Sequence, residues 1–408
     1  MVKLILYECR KHFFKKPLAA IFILFLVLNT LKIGNVYNEN SLLAQRHFPG
    51  WKTLYMEQYD RFGGVITTEK IRQLMDIYSP LESQTADLTA STATDRPDTF
   101  TGNIYSDYFF FRDCFVRPME YDYMYGDNAA DIAAAARANI DFYETVGNSY
   151  EAAKNAAIAR LYTGRSIHSF ARTEMFQYYL QYDFSTLPCL LICLYGLMNV
   201  FVLEKETGMD MVLLTARLGG ARTTTAKIAA SVLFVAAVGI IFQVADLAAF
   251  QWFFGGPWGG SLPLYALRNY EYAAVGMSLL WFTLLAAAAK LMGLITAALG
   301  FLAVSCTFKN ALLPFLINLS AAVGLLVMAQ LWAGSGHILL KMANPMILFD
   351  NHALFGKTEF INILGRPVPG YVMAIAAALL WGLTAISIIF ACTRKNTVLR
   401  RGPGRARQ

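Results

Sequence analysis

The stretch PLAAIFILFLVLNTLKI, residues 17–33, decides the fold, because it is apolar over the length that a bilayer requires. A transmembrane helix needs about 20 apolar residues, with a lower bound near ~17. Further apolar runs follow it along the chain at about 187–202, 228–249, 273–307, 311–332 and 371–392. Charged residues make up only 15% of the 408 residues, against about 25% in soluble domains. The sequence therefore predicts an all-α membrane protein with six transmembrane helices, the first at 17–33 and the others within 187–392.

The segment MVKLILYECRKHFFKK, residues 1–16, precedes the first run. A basic stretch before an apolar one also describes a signal peptide. This basic stretch is long, however, and no clear small-residue cleavage site follows the apolar run. Val2, Ile5, Cys9 and Phe13 recur at helical spacing, with basic residues elsewhere. We therefore expect a retained anchor, preceded by an amphipathic helix that lies in the membrane interface.

The run at 273–307 is too long for a simple span. Its 35 residues would form a helix of about 52 Å, against a hydrocarbon core of roughly 30 Å. Two arrangements fit this length. Either the helix projects beyond the membrane, or its first part lies at the outer interface.

Residues 34–186 are polar and mixed, and they predict a large, mostly helical extracytoplasmic domain between the first two spans. Its Ala-rich part favours helix by intrinsic propensity, and Gly147 and Gly164 are candidate helix ends. A dense aromatic tract from Tyr105 to Tyr125 forms either a domain core or a surface for a hydrophobic peptide. The expected helices are Thr68–Ile77, Asn128–Leu161 and Ser166–Tyr182, with a loop at Thr85–Thr101.

Charge is divided unevenly along the chain, whose net charge is +7. Between Gly34 and Asp183, 20 acidic residues outnumber 13 basic ones, whereas the remainder carries 22 basic and 8 acidic residues. With six spans, every basic cluster beside an apolar run falls on one side, which the positive-inside rule makes cytoplasmic. We therefore expect a multi-pass cell-membrane protein with both termini in the cytoplasm, including a basic tail at 393–408. Because no separate basic domain exists, no nucleic-acid partner is expected.

Motifs for catalysis and cofactor binding are missing from the sequence. The Gly-Lys-Thr at 356–358 lacks the glycine that a phosphate-binding loop needs five residues earlier, since position 351 is Asn351. No H-E-x-x-H or G-x-S-x-G motif occurs. Cys189 and Cys193 lie one helical turn apart in an apolar run, and we interpret them as apolar filler and not as a metal or redox pair. The chain is therefore predicted not to be an enzyme, with no cofactor or metal of its own.

Ionisable residues within the apolar runs are few. Asp246 lies near the outer end of the third run, and Lys290 lies about 24 Å from the inner end of the fourth. Lys290 at that depth can extend its ammonium to the outer interface, which is the simpler interpretation. The alternative is that Asp246 and Lys290 line a substrate path.

The segment Glu204–Lys227 is the most informative loop on the predicted cytoplasmic side. It begins at a membrane exit, contains an apolar face, and ends where the chain re-enters the membrane. An apolar face on a cytoplasmic loop favours a partner, either the membrane surface or another protein. The structural alternative is a connector helix that lies on the membrane surface. The residues that define the segment are Glu204, Glu206, Gly208, Leu213, Leu214, Arg217, Arg222 and Lys227.

This layout resembles the permease subunit of the ABC-2 superfamily of ATP-binding cassette transporters. The resemblance rests on the basic N-terminal helix, the outer domain after the first span, and an E-x-E-x-G loop followed by Leu-Leu and a basic re-entry. The stretch FGKTEFINILGRPVPGYVMAIAAALLWG, residues 355–382, is also similar to the entry into the last span of permeases from Gram-positive bacteria. The outer domain of about 150 residues is larger than in many members.

The resemblance implies an exporter permease that does not hydrolyse ATP. A separate soluble ATPase would carry ATP and magnesium and dock on 204–227, with help from residues 2–16. A second permease, either a copy or a paralogue, would complete the substrate path among membrane lipids. A hypothesis of another class is a membrane sensor or assembly factor, whose outer domain binds a peptide and whose inner loop signals to a partner. An intramembrane enzyme is a weak third hypothesis, because no paired ionisable residues lie at mid-membrane depth.

Overall fold

Six helices in the computed structural model are long and apolar enough to cross a membrane. The structure describes residues 1–44, 50–87, 100–209, 220–334 and 336–400. The prediction of a helical, multi-pass membrane protein is therefore confirmed by the length and composition of its helices. These helices are called spans 1 to 6 and run Lys16–Asn40, Thr186–Glu206, Ala221–Phe254, Leu279–Ser305, Leu312–Trp332 and Gly370–Arg394.

The spans differ in length from the prediction. Span 4 begins only at Leu279, so the apolar residues 273–278 are not part of it. Those residues form an irregular segment in which Ala273 is fully buried and Ser278 bridges to Pro263. The longest helix is instead span 3, whose 34 residues extend about 51 Å. Of the two arrangements, a single helix over the whole run is therefore wrong, and the placement of residues 273–278 at the outer interface stays a prediction. Span 3 is longer than the membrane is thick.

Span 2 consists of two helices, Thr186–Leu197 and Asn199–Glu206, which meet at Met198. Cys189 and Cys193 are buried in the core of the bundle as free thiols. Their interpretation as apolar filler agrees with this placement. Span 6 continues as a helix to Arg400, and residues 401–408 of the predicted basic tail lie outside the described residues.

Residues 41–185, called the inserted domain, are mainly helical as predicted. Gly147 ends a long helix in the left-handed region at φ 72°, so the expected helix Asn128–Leu161 is two helices. The expected helix Ser166–Tyr182 is wrong in its first half, because Ser169–Phe170 pairs with Gly64–Val65 as a short antiparallel ladder. The helices of the domain are Trp51–Phe62, Thr68–Asp87, Ile104–Phe111, Arg117–Thr145, Ser149–Tyr162 and Glu174–Gln181, with a π-helical turn at Arg112–Val116.

The aromatic tract forms the core of the inserted domain. Phe110, Phe111 and Phe115 are fully buried and pack against Trp51 and Phe62. This confirms the first of the two interpretations for these three residues. The second half of the expected loop Thr85–Thr101 lies largely outside the described residues, while the preceding helix continues to Asp87.

A second core joins the inserted domain to the spans. Phe250 and Phe254, at the end of span 3, pack among residues of the inserted domain such as Tyr182. Arg165 of the domain donates to the carbonyl oxygen of Ala273 at 3.0 Å and lies over the ring of Tyr265. The end of the bundle that carries this junction is called the domain side, and the opposite end, which carries the N-terminal helix, is called the N-terminal side.

Span 6 is preceded by a β-hairpin within the stretch 355–382. Strands Phe360–Ile363 and Arg366–Pro369 pair antiparallel and are joined by Leu364 and Gly365. Both loop residues have positive φ, 51° and 82°, as the tightest hairpin turns require. Short elements complete the chain before it: helical turns at Leu264–Ala266, Arg268–Tyr270, Ile338–Ala343, Pro345–Phe349 and Asn351–Phe355.

The N-terminal helix spans Val2–His12, so it is shorter than the expected segment 1–16, and its buried residues are polar. Glu8 and His12 are buried, whereas Val2, Leu6 and Tyr7 are exposed. Of the predicted apolar face, only Phe13 is buried, and its ring stacks on Phe234 of span 3 at 4.2 Å. The helix therefore packs on the bundle through charged groups and leaves apolar side chains free to contact lipid.

Candidate functional site

The site lies on the N-terminal side, where spans 2 and 3 meet the N-terminal helix. Glu204 is in the last turn of span 2, and Lys227 is in the second turn of span 3. The chain that connects them carries two glycines in the left-handed region, Gly208 at φ 67° and Gly220 at φ 71°. Glycine adopts a positive φ without strain, so the chain can leave span 2 and enter span 3 close to the point where Glu204 and Lys227 meet.

Lys227 is the centre of a buried ion cluster. Its ammonium lies 2.7 Å from Glu204 Oε1 and 3.0 Å from Glu8 Oε2, and it also donates to the carbonyl oxygen of Val200 at 3.2 Å. Lys11 donates to the same Glu204 oxygen at 2.6 Å. Lys227, Glu204 and Glu8 are all buried. The cluster therefore pairs two carboxylates with two ammonium groups: the N-terminal helix supplies Glu8 and Lys11, and spans 2 and 3 supply one group each.

His12 lies beside the cluster, one helical turn after Glu8 on the N-terminal helix. His12 Nε2 lies 3.3 Å from Glu8 Oε2. Burial lowers the pKa of His12, so the ring is neutral at pH 7. For Glu8, burial favours the protonated form, but the neighbouring His12 ring and the Lys227 ammonium outweigh it and lower the pKa to about 2. Glu8 is therefore a charged partner of Lys227 at neutral pH.

The donor atoms of Glu8, His12 and Glu204 are close enough together to suggest a metal site, since they lie within 4.8 Å of one another. The Lys227 ammonium, however, contacts both carboxylates and supplies the positive charge that a metal ion would bring. Two carboxylates and one imidazole could hold a metal only if this lysine moved away. The arrangement is therefore an ion cluster that links the N-terminal helix to spans 2 and 3.

Lys205 and Glu206 connect the same region to the turn between spans 4 and 5. Lys205 donates to the carbonyl oxygens of Cys306 and Phe308, the latter at 3.1 Å. Glu206 Oε1 accepts a hydrogen bond from the backbone N–H of Ala311 at 3.2 Å. The end of span 2 is thus connected to the turn between spans 4 and 5 as well as to the N-terminal helix.

The predicted loop residues divide into three groups. The side chains of Glu204 and Lys227 are buried in the cluster, so they cannot contact a partner directly in this conformation. The exposed members are Glu206, Gly208 and Arg222. Leu213, Leu214 and Arg217 lie outside the described residues, and their roles stay predictions.

Asp246 and Lys290 both belong to a polar network near the domain side. Asp246 is buried and accepts a hydrogen bond from Asn29 of span 1, whose side-chain oxygen accepts from the Tyr182 hydroxyl at 2.8 Å. Lys290 donates to the carbonyl oxygen of Tyr182 at 2.8 Å. Each group is satisfied by the protein, and neither residue lines the cleft beside Asp122 or the cleft beside Asn351. Their role in a substrate path stays a prediction.

Sequence reasoning missed Glu8, His12 and Asn29. Glu8 is the only acidic residue in the basic segment 1–16, and this isolation was a usable signal for a buried partner. Its spacing of four residues from His12 was a second signal. Nothing in the sequence pairs Asn29 with Asp246, because the two residues are 217 positions apart.

No protein-family model, curated protein or solved structure matches this chain.

Proposed function

We propose that this chain is the membrane permease subunit of an ATP-driven exporter and that a separate soluble ATPase hydrolyses ATP. The observation that carries the proposal is the ion cluster of Glu8, Lys11, Glu204 and Lys227. It joins the N-terminal helix to both ends of the loop between spans 2 and 3. These are the segments that, in ABC-2 permeases, the ATPase is expected to contact.

A coupling element must transmit force, and the cluster is suited to that task. Breaking one buried ion pair costs about 3–5 kcal/mol, because a charge remains in a low-dielectric environment. A push on the loop would therefore move spans 2 and 3 and the N-terminal helix together. The contacts of Lys205 and Glu206 would carry the same displacement to the turn between spans 4 and 5.

The proposal separates contact residues from positioning residues. Glu206, Gly208 and Arg222 are exposed and would face the ATPase, together with Arg217 and with Leu213 and Leu214 of the predicted apolar face. Glu204 and Lys227 would act through the cluster by holding the loop ends in place. ATP and magnesium would be bound by the partner ATPase. A second permease, a copy of this chain or a paralogue, would complete the substrate path.

One observation favours the alternative of a sensor or assembly factor that binds a peptide on the side of the inserted domain. A cleft of about 350 Å³ lies between the inserted domain and the loop before span 4, and charged side chains line it. A ligand site at that position is what a sensor requires.

The test is co-purification of the chain with the ATPases encoded beside its gene. We expect Arg222→Ala with Leu213→Asp to lose most of the bound ATPase and the stimulation of ATP hydrolysis. Lys309→Ala, which removes an exposed charge from the neighbouring turn, is the matched control. If the double variant retains both association and stimulation, this loop is not the docking surface. If no neighbouring ATPase binds the wild-type chain, the exporter proposal is wrong.

A further inference from the structure

The cleft on the domain side has a composition that its structural role does not explain. It has a volume of about 350 Å³ and lies between the helix Arg117–Thr145, the segment after Phe170 and the loop before span 4. This volume is at the lower end of the range for small-molecule sites, ~300–1,000 Å³. Apolar side chains that line it include Leu43, Tyr55 and Leu262.

Asp122 lines this cleft and has no partner. It is only 6% exposed, yet it makes no hydrogen bond or ion pair with the part of the chain that the structure describes. Burial alone raises the pKa of Asp122 to about 8. Such a carboxyl costs folding free energy unless it is neutral or a ligand supplies its partner.

A second buried aspartate in the same domain shows the usual structural role. Asp107 is fully buried, and its two oxygens accept hydrogen bonds from the backbone N–H groups of Phe100 and Thr101 at 2.7 and 2.9 Å. Those bonds hold the chain just before the helix Ile104–Phe111 against that helix. Asp122 performs no such function, because no backbone donor points at it.

The other charges around the cleft can be sorted by their partners. Arg172 pairs with Glu174 at 3.2 Å, and Arg117 pairs with Asp113 at 3.3 Å. Arg268 is exposed at the rim and has no acidic partner among the described residues. Among the described residues that line the cleft, the Asp122 carboxyl inside it and the Arg268 guanidinium at its rim are therefore without a charged partner.

We propose that this cleft binds a short peptide, with the peptide's ammonium group on Asp122 and its carboxylate on Arg268. The apolar lining would take a small side chain between the two charges. Because the site is made by this chain alone, binding can be measured without the ATPase. Failure of the exporter proposal and failure of this one are therefore separate results.

The test uses the purified full-length chain in lipid nanodiscs and tetra-alanine as the probe, measured by calorimetry. Three forms of the peptide are compared: with both ends free, with the amino end acetylated, and with the carboxyl end amidated. We expect each blocked form to bind roughly 10- to 100-fold more weakly than the free form, as for the loss of one charge-assisted hydrogen bond.

Variants assign each end of the peptide to its residue. Asp122→Asn should bind the free and acetylated forms equally, and Arg268→Gln should bind the free and amidated forms equally. Asp131→Asn, an exposed change of the same charge on the same helix, should behave as wild type. Arg268 lies on the exposed rim, so its variant remains informative if Asp122→Asn does not fold.

Three results would overturn the proposal. One is the absence of binding by the free peptide at millimolar concentration. Another is equal binding of the free and acetylated peptides by the wild-type chain. The third is unchanged selectivity between blocked and free peptides in both variants.

Discussion

Lys227 places one ammonium against two buried carboxylates, and this determines what its removal would do. In Lys227→Met, Glu8 loses its nearest ammonium, while Glu204 keeps Lys11. We expect the variant to lose about 3–5 kcal/mol of unfolding free energy, measured as a lower thermal midpoint in detergent. Lys309→Met, at an exposed position, should change the midpoint little.

A compensating variant distinguishes loss of charge balance from loss of packing. Adding Glu8→Gln to Lys227→Met removes the orphaned charge and should recover part of the midpoint. Equal midpoints for Lys227→Met and Lys309→Met would contradict the role assigned to the ion cluster.

Asp122 gives stability a dependence on pH whose sign follows from its pKa. Burial raises this pKa from 3.8 to about 8, so between these values the folded chain holds a proton that the unfolded chain has released. Stability therefore falls as pH rises through this window, by up to about 1.4 kcal/mol per pH unit, and levels off above it. The groups around the cleft that also carry charge are Asp113, Arg117, Arg172, Glu174 and Arg268.

The measurement is the thermal midpoint at a series of pH values across that window. Asp122→Asn should flatten the curve and raise the midpoint most near its upper end. Asp131→Asn should keep the wild-type slope. A slope that is the same in all three proteins would show that Asp122 does not titrate as its burial implies.

The aromatic tract shows what sequence can and cannot assign at the scale of an element. Its density indicated a core or a binding surface, but the letters alone did not say which rings point inward. Phe115 is fully buried and meets the rings of Tyr55, Phe62 and Phe170, whereas Phe109 is 45% exposed. The π-helical turn at Arg112–Val116 changes the helical phase within the tract, and a regular period does not predict that change.

This difference gives a matched pair of substitutions within one element. Phe115→Ala should cost about 3–5 kcal/mol, because it leaves a cavity among rings that are themselves fixed. Phe109→Ala should cost less than about 1 kcal/mol, since its ring is already half in solvent. Limited proteolysis of the inserted domain reports the loss directly. Similar protection of both variants would mean that the tract does not form the core of the domain.

The N-terminal helix illustrates a second limit at this scale. Its existence was predictable from helical spacing, and its apolar residues were expected to place it in the membrane interface. The structure also buries Glu8 and His12 against the bundle, where Lys227 of span 3 pairs with Glu8. That lysine lies 219 positions away in sequence, beyond the reach of any local pattern.

At the scale of the whole molecule, hydropathy predicted the number of spans but not the residues at which they begin and end. Each span contains an apolar run that no soluble loop would carry. Where a helix ends is set by what it meets beyond the membrane. Span 3 continues to Phe254 because Phe250 and Phe254 pack on the inserted domain, and span 4 starts late because residues 273–278 are held by the same junction.

The orientation of the molecule stays a prediction, and it can be tested with single cysteines. An even number of spans places both termini on one side, and the basic residues near span ends favour the cytoplasm for that side. In a variant without native cysteines, Glu144→Cys on the inserted domain and Lys309→Cys in the turn between spans 4 and 5 are both exposed positions. In intact cells, a membrane-impermeant maleimide should label position 144 and leave position 309 unlabelled until the cells are permeabilised.

The reverse labelling pattern would have a consequence beyond topology. It would place the ion cluster and the exposed loop residues Glu206 and Arg222 outside the cell, where ATP and a soluble ATPase are absent. The exporter proposal would then fail, whereas peptide binding at Asp122 would have to occur in the cytoplasm. Labelling of both positions in intact cells would mean that the segment between them crosses the membrane an even number of times, and the six-span arrangement would be wrong.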